Sequence, residues 1–234
     1  MKQWQQIAIR DSKLESPKEA CGLVVNVKGK EVFFQCVNYS KDENNFIINP
    51  DNYAACEEKG QIVAIFHSHP KGSSEPSDAD KISCEASKLP WYIYSPLENT
   101  WSKLEPNGYK PKLYGRPWIW GLTDCYTFIR DWYKEVKNIN LKDYERTLTA
   151  EEFLQNPLFE SYAWRTGFRE LRNYEPPKKG DVFLMKLLHP KPSHVAVYVG
   201  DSNIAHHCNE RLSCVEPYSE FYIKCTHKRY RYVD

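Results

Sequence analysis

The chain has 234 residues, a formal net charge of +1, 41% hydrophobic residues and 8 cysteines. This length suits one large domain or two small ones, and the apolar content is enough for two modest cores. Acidic and basic residues are interspersed without a basic block, so the charge pattern gives no reason to expect a nucleic-acid partner. No apolar run approaches the length of a membrane span, and we expect none.

The N-terminal sequence MKQWQQIAIRDSKLE lacks the apolar stretch and the small-residue cleavage site of a secretory leader. We therefore expect synthesis in the cytosol. The cysteines are spread from Cys21 to Cys225 without a CxxC pair, in a chain large enough to fold without disulfides. We expect most of them to be reduced and buried, and we expect no structural zinc ribbon.

The first half of the chain predicts a compact α+β unit. Runs rich in β-branched and aromatic residues indicate strands, and a segment that ends at glycine indicates a helix. The elements expected in chain order are a helix over 3–13, strands over 21–27 and 31–38, a helix over 51–60, a strand over 61–70, a helix over 77–89, and strands over 91–96 and 100–106.

Residues 107–116 are rich in Pro, Gly and Lys, and we interpret them as a linker between a domain over 1–106 and a domain over 117–234. In the second domain, helical spacing over 124–136 opens a helix-rich stretch that reaches about residue 172. Strands follow, at 181–186, 194–200, 203–208 and 221–233. The sequence therefore predicts an α+β protein of two small domains.

Two histidines lie two residues apart at the end of a predicted strand, within FHSHPKGSSEPSDAD. Because side chains alternate along a strand, His67 and His69 leave the same face. Asp80 follows at the start of the next predicted helix and can complete the cluster. Two imidazoles and one carboxylate suit Zn²⁺, and three protein ligands leave a fourth position for a nucleophilic water. The pattern predicts a catalytic zinc site; two surface histidines before a polar loop are the alternative.

This spacing resembles the motif of the JAMM metalloproteases. The resemblance covers roughly residues 1–105 and implies a JAMM-type α/β zinc hydrolase fold with Zn²⁺ as cofactor. In that family an upstream glutamate handles the proton of the water, and PKEACGLVV supplies Glu19 in that position. Glu15, the rival, lacks the flanking Cys-Gly and lies in a predicted helix. By the family pattern Ser77 would help to hold the developing oxyanion, and it can also serve as a helix N-cap.

A second set of reactive residues lies in the other half of the chain. Cys125 stands where a polar loop enters a predicted helix, whose positive end favours the thiolate; a buried structural cysteine is the alternative. His194 begins a predicted strand, and His206 ends the next one. A three-residue hairpin loop at 200–202 would place both histidines on one face, whereas a two-residue loop would bring His207 there. The geometry thus permits a thiolate, a general base and a histidine that orients the base.

Three segments resemble the NlpC-type cysteine peptidases of bacterial cell-wall turnover: DC before a predicted helix, SHVAVYVGDSNIAHH and GDVFLM. The resemblance implies a papain-like fold with Cys125 as nucleophile, His194 as base and, by the family's spacing, His206 as the third residue. These enzymes typically cut the bond between γ-D-glutamate and a diamino acid in peptidoglycan stems.

The chain departs from this family around the nucleophile. The usual Gly-Gly and Asp-Cys-Ser-Gly are replaced by GLTDCYT, and Trp118 stands where a tyrosine is usual. These changes bear on substrate fit and on the oxyanion site, but they keep the nucleophile and its base.

The two domains in this order resemble the tail-tip assembly proteins of lambda-like long-tailed bacteriophages, over nearly the whole chain. The resemblance implies assembly in the host cytoplasm, action at the virion tail tip in the host periplasm, and contacts with other tail-tip proteins. The cysteine domain would then open peptidoglycan during entry, and the zinc site would process a tail protein or act on the wall. The alternatives are an assembly component whose hydrolase folds are docking surfaces, and an isopeptidase acting on ubiquitin-like modifiers.

Overall fold

The computed structural model describes residues 1–187 and 189–233. Internal contacts divide the chain into two compact units, Met1–Lys110 and Pro111–Asp234. Each unit combines helices with one sheet, so the predicted α+β class with two domains is confirmed. The predicted linker over 107–116 stays a prediction. Among the described residues no helix has the length and apolar character needed to cross a membrane.

The N-terminal unit is a five-stranded sheet in the order β2-β1-β3-β4-β5. Its strands pair antiparallel except for β3 and β4, which are parallel because helix α3 connects them across the sheet. Its elements are α1 Gln3–Glu15, β1 Cys21–Val27, β2 Lys30–Cys36, α2 Pro50–Glu57, β3 Gln61–Ser68, α3 Asp78–Ser87, β4 Trp91–Ser95 and β5 Thr100–Leu104.

Strand β1 lies inside this sheet, between β2 and β3, and its first five residues are buried. Both of its faces are covered: Leu23 packs into one apolar cluster, and Val24 packs into another together with Trp4 of α1. Gly22 is needed at this position because a Cβ there would lie 2.3 Å from the Phe33 ring. The start of β1 is thereby fixed, and it pairs with the end of β3.

The C-terminal unit is a six-stranded sheet in the order β10-β9-β8-β7-β11-β6, with α4 packed against β8. Phe128 and Trp132 of α4 contribute buried rings to the same core as Val195 and Val197 of β8. Its elements are α4 Cys125–Trp132, a π-helical turn Tyr133–Lys137, α5 Ala150–Gln155, α6 Phe159–Ala163, a 3-10 turn Trp164–Thr166, β6 Phe168–Glu170, β7 Val182–Met185, β8 His194–Gly200, β9 Asn203–His206, β10 Cys214–Pro217, α7 Glu220–Cys225 and β11 Thr226–Tyr232.

Two secondary-structure predictions in this unit are wrong in part. The stretch predicted as a strand over 221–233 begins as α7, and only Thr226–Tyr232 is a strand. The helix forms because Tyr222 is buried against the sheet and Cys225, three residues on, packs into the same cluster. The predicted helix-rich stretch has only short helices and ends in β6, which pairs with β11.

Candidate active sites

The three predicted zinc ligands of the N-terminal unit converge. His67 lies near the end of β3, His69 follows the strand, and Asp80 lies in the first turn of α3. The two Nε2 atoms are 3.0 Å apart. Asp80 Oδ1 lies 3.1 Å from His67 Nε2, and Oδ2 lies 3.5 Å from His69 Nε2. Tetrahedral zinc with bonds of about 2.0–2.1 Å places ligand atoms about 3.3 Å apart, so the donor set and its spacing fit this metal.

Neighbouring groups orient both imidazole rings. His69 Nδ1 lies 2.8 Å from the carbonyl oxygen of Ser73. A carbonyl only accepts, so Nδ1 carries the proton and Nε2 keeps its lone pair for a metal. His67 is 0% exposed, and its ring stacks on Phe46 at a centroid distance of 4.7 Å. Burial lowers the pKa of His67, which favours the neutral form that binds a metal.

Asp80 and Ser77 form a capping box at the start of α3. Ser77 Oγ accepts a hydrogen bond from the Asp80 amide at 3.1 Å and donates to Asp80 Oδ2 at 2.7 Å. Burial disfavours ionisation of Asp80, but the adjacent imidazoles of His67 and His69 and the Ser77 hydroxyl outweigh it and lower its pKa. Ser77 is therefore the N-cap and also orients a ligand; its role at an oxyanion stays a prediction.

Glu19 lies between α1 and β1 and is 7% exposed. Ala20 fixes this segment beside the end of β3, because its amide donates to Ser68 Oγ at 2.9 Å and its carbonyl accepts from the Ser68 amide at 3.0 Å. Burial raises the pKa of Glu19 to about 8, with His69 lowering it and Asp80 raising it. Glu15, the rival, is exposed at the end of α1. With a pKa of about 8, the Glu19 carboxyl can both give and take a proton near neutral pH.

Cys125 is the first residue of α4, and Asp124 is its N-cap, with Oδ1 accepting from the Thr127 amide at 2.7 Å. Asp124 also pairs with Arg146, whose Nε lies 2.9 Å from Oδ2. The side chain of Cys125 is buried, and burial followed by the charge of Asp124 raises its pKa to about 12. Loss of solvation thus opposes ionisation of this thiol, and the expectation that the helix start favours a thiolate stays a prediction.

The hairpin between β8 and β9 does not have the predicted three-residue loop. Gly200 pairs with Asn203, which leaves Asp201 and Ser202 as a two-residue loop with φ angles of 49° and 56°. In an otherwise regular hairpin this loop would turn His207 toward the face that carries His194.

A β-bulge reverses that outcome. The register of β8 against β9 shifts at Val199, which remains unpaired, and Ala196 pairs with His206. His194 precedes Ala196 by two residues, so His194 and His206 leave the same face of the sheet. His207 is buried elsewhere, 3.1 Å from the Arg211 carbonyl oxygen through Nε2.

His194 Nε2 and His206 Nδ1 lie 3.0 Å apart, in hydrogen-bond contact. Burial lowers the pKa of both residues, so both imidazoles are neutral near pH 7. Across the two described ranges, no hydrogen bond joins the Cys125 thiol to His194. The two histidines are brought together, and the thiol is not yet paired with the base.

The sequence did not single out Cys208 and Glu216, which adjoin this pair. Cys208 Sγ lies 3.5 Å from His206 Nδ1 and 3.8 Å from His194 Nε2, and Glu216 Oε1 lies 3.5 Å from His206 Nε2. The signal was present for Cys208, because His206 and Cys208 are two residues apart like His67 and His69. Glu216 enters through β10, a strand that the sequence did not predict.

A cavity of about 110 Å³ adjoins Cys125. Its walls are mostly apolar, and six of the aromatic rings that line it come from the segments around α4, α5 and α6. The rings belong to Trp120, Tyr126, Tyr144, Phe153, Phe159 and Tyr162. Trp118, the departure from the family pattern, is not among them; its ring is tilted by 30° against that of Trp120, at a centroid distance of 6.0 Å.

In comparisons with known proteins, each half of the chain matches a different protein family. Residues 1–105 match the family of prokaryotic homologs of the JAB domain, and residues 115–231 match the NlpC/P60 family. The tail tip assembly protein K of Escherichia phage N15 is 34% identical over 94% of this chain and 90% of the relative. The protein of the same description from Escherichia phage lambda is 33% identical over 79% of this chain and 89% of the relative.

A solved JAB1/MPN domain protein from Archaeoglobus fulgidus is 18% identical, covers 46% of this chain and 86% of that chain, and superimposes with a TM-score of 0.30. The family assignment rests on the two family matches and the two phage relatives. This chain belongs to the family of phage tail tip assembly protein K, in which a JAB domain precedes an NlpC/P60 domain.

Proposed function

We propose that this chain is a phage tail-tip protein with two peptidase sites, a zinc-dependent one in the N-terminal unit and a thiol-dependent one in the C-terminal unit. The observation that supports the proposal is the convergence of His67, His69 and Asp80: the two Nε2 atoms are 3.0 Å apart, and each lies 3.1–3.5 Å from a carboxylate oxygen of Asp80. Zn²⁺ held there would polarise a peptide carbonyl and activate a water for attack on it.

At the zinc site the protein supplies proton transfer and orientation. Glu19 takes a proton from the attacking water and returns it to the leaving amine, and its pKa of about 8 suits both directions. Ser77 holds Asp80 in place and would lie near the developing oxyanion. The substrate is a peptide or isopeptide bond, in a tail protein or in the cell wall.

At the thiol site His194 accepts the proton of Cys125. Nε2 of His194 is engaged by His206, so Nδ1 is the nitrogen left to take that proton. The thiolate then attacks the peptide carbonyl, and the imidazolium protonates the leaving amine. We infer that the thiol and the base meet when substrate binds, because burial favours the neutral form of each in the free structure.

The biological setting follows from the phage relatives. On this proposal the protein is made in the host cytoplasm, joins other tail proteins at the tail tip, and acts in the host periplasm on peptidoglycan stem peptides during entry. The NlpC/P60 match supports the reaction class, and the two phage relatives support the setting.

The cavity beside Cys125 favours a second candidate substrate. Its aromatic walls suit an apolar peptide side chain, whereas a D-glutamate and a diamino acid are both charged. A tail protein processed at an apolar residue is therefore the alternative substrate of the thiol site.

The experiment compares wild-type protein, Cys125→Ala, His69→Ala and the control Cys225→Ala on peptidoglycan with diaminopimelate stems, followed by mass spectrometry of the released fragments. Cleavage between D-glutamate and the diamino acid should be lost in Cys125→Ala alone. The same variants are then incubated with purified tail-tip proteins. Cleavage of a tail protein but not of peptidoglycan would favour processing, and no cleavage of either substrate, by zinc-loaded or by metal-free protein, would contradict the proposal.

A further inference from the structure

Cys208 and the histidine pair of the C-terminal unit have the geometry of a metal site. Their three ligand atoms are His194 Nε2, His206 Nδ1 and Cys208 Sγ, all within 4.8 Å of one another. The separations are 3.0 Å between the nitrogens and 3.5 and 3.8 Å from sulfur to nitrogen. Tetrahedral zinc with bonds of about 2.05 Å to nitrogen and about 2.3 Å to sulfur requires about 3.3 and about 3.6 Å.

The surroundings of His206 strengthen this match. Among the described residues its Nε2 forms no hydrogen bond but faces Glu216 Oε1 at 3.5 Å, close to the arrangement in which a carboxylate orients a metal-binding imidazole through its other nitrogen. Glu216 is itself held, because Tyr222 donates to Oε2 at 2.9 Å and Arg211 lies 2.6 Å from Oε1. The proton of His206 is thereby favoured on Nε2, which leaves the Nδ1 lone pair directed at His194 and Cys208.

We propose that His194, His206 and Cys208 form a second metal site, distinct from His67, His69 and Asp80, that binds a thiophilic divalent cation such as Zn²⁺. One thiolate and two imidazoles are soft or borderline ligands that select such a cation over Mg²⁺ or Ca²⁺. Binding releases the thiol proton of Cys208 to solvent, and a water completes the coordination.

The site has a consequence that rests on the proposed function. A cation on His194 Nε2 fixes the remaining ring proton on Nδ1, so the imidazole no longer accepts the proton of Cys125. Metal binding at this site and catalysis by the Cys125 thiol therefore exclude each other. The cation that the N-terminal site requires would inhibit the C-terminal site.

A rival cluster uses one of the same histidines. His206, Cys214 and Glu216 also place ligand atoms within 4.8 Å of one another. In this cluster His206 would bind through Nε2, and Glu216 would be a ligand instead of an orienting group. Cys208 and Cys214 therefore discriminate between the two sites.

The test uses full-length, metal-free protein carrying His69→Ala, which weakens the first site, and titrates it with Co²⁺. We expect one tightly bound Co²⁺ per chain with a thiolate-to-cobalt charge-transfer band. Adding Cys208→Ser should abolish the band and weaken binding by more than roughly 100-fold, because a direct ligand matters more than an orienting group. Adding Glu216→Gln should keep the band and weaken binding roughly 10-fold.

Cys225→Ser is the matched control, a half-buried cysteine of the same unit, and should retain both the band and the affinity. Circular dichroism checks the fold of each variant, and Cys208→Ala provides a second loss of the ligand. Absence of the band in His69→Ala, or its loss in Cys214→Ser with retention in Cys208→Ser, would overturn the assignment. Because absorption and stoichiometry do not depend on cleavage, failure of the proposed peptidase activity would be seen separately.

Discussion

The two candidate sites differ in the effect of burial on the groups that would move protons. At the N-terminal site burial raises the pKa of Glu19 to about 8, close to neutral pH. At the C-terminal site burial raises the pKa of Cys125 to about 12 and lowers that of His194. The same loss of solvation therefore favours proton exchange by Glu19 near neutral pH and disfavours the charged forms of Cys125 and His194.

The difference follows from the charge change that each reaction requires. A single carboxyl that exchanges one proton near neutral pH benefits from a raised pKa. A thiol and an imidazole must instead become an ion pair, and burial disfavours both ions. The predicted zinc ligands thus already lie together, whereas no hydrogen bond joins Cys125 to His194 among the described residues.

Asp80→Asn should have the largest effect on the N-terminal site. The amide removes a negatively charged ligand that lies 3.1–3.5 Å from both histidines, so zinc affinity should fall by more than roughly 100-fold and peptidase activity with it. Metal content after dialysis against a chelator gives the measurement. Asp78→Asn is the control, an exposed residue of the same helical turn paired with Lys81. Unchanged zinc content in Asp80→Asn would contradict the ligand assignment.

Glu19→Gln should separate proton transfer from metal binding. The amide has the shape of the carboxyl but cannot exchange a proton, so turnover at the zinc site should fall roughly 100-fold while zinc content is unchanged. Glu15→Gln, at the exposed end of α1, should have no effect on either quantity. A loss of zinc in Glu19→Gln would make Glu19 a ligand.

The reactivity of Cys125 tests the other side of the comparison. With a pKa of about 12, only a small and pH-dependent fraction of the thiol is ionised near neutral pH. Alkylation of Cys125 should therefore rise continuously from about pH 6 to about pH 9 and be roughly 50-fold slower than that of a free thiol. Peptide mass spectrometry measures it, with half-buried Cys225 as internal reference. A plateau near pH 7 would reveal a preformed thiolate–imidazolium pair.

Asp11→Asn should have the smallest effect. It tests how burial shifts the pKa of a carboxyl that is not a predicted metal-site residue. Asp11 is buried in α1, and burial followed by Glu15 raises its pKa from 3.8 to about 6. The native state thus holds this proton more tightly than the unfolded state, so stability is lost as pH rises through about 6. Above that pH, Asp11→Asn should be more stable by about 2 kcal/mol, and the gain should vanish near pH 4.

Urea unfolding at about pH 5 and about pH 7.5, with amide exchange in β1 reporting on the N-terminal unit, measures this difference. Asp51→Asn is the exposed control in the same unit. An equal effect of Asp11→Asn at both pH values would mean that burial alone does not shift a carboxyl in this unit.

The sequence predicted those features that are encoded locally. Apolar runs rich in β-branched residues located β1 and β3, and the two-residue spacing of His67 and His69 placed both rings on one side. Ser77 and Asp80 are linked by a three-residue capping pattern that is also local. Cys125 at the start of α4 was predicted for the same reason.

Features set by tertiary packing escaped prediction. Tyr222 turns an aromatic run into α7 because the sheet offers it a buried position. Cys208 lies two residues from His206, but it approaches His194 only because β8 pairs with β9. Whether His206 or His207 leaves the same face of the sheet as His194 depends on a bulge at Val199, which no local sequence pattern predicts.

That bulge decides which of two consecutive histidines lies beside His194. If Val199 paired with Ile204, as in a regular hairpin with the same two-residue loop, Ala196 would face His207 instead of His206. Because the two histidines are consecutive, an imidazole occupies the position beside His194 in either register. A one-residue register shift that in most hairpins would remove a functional side chain would here substitute an identical one.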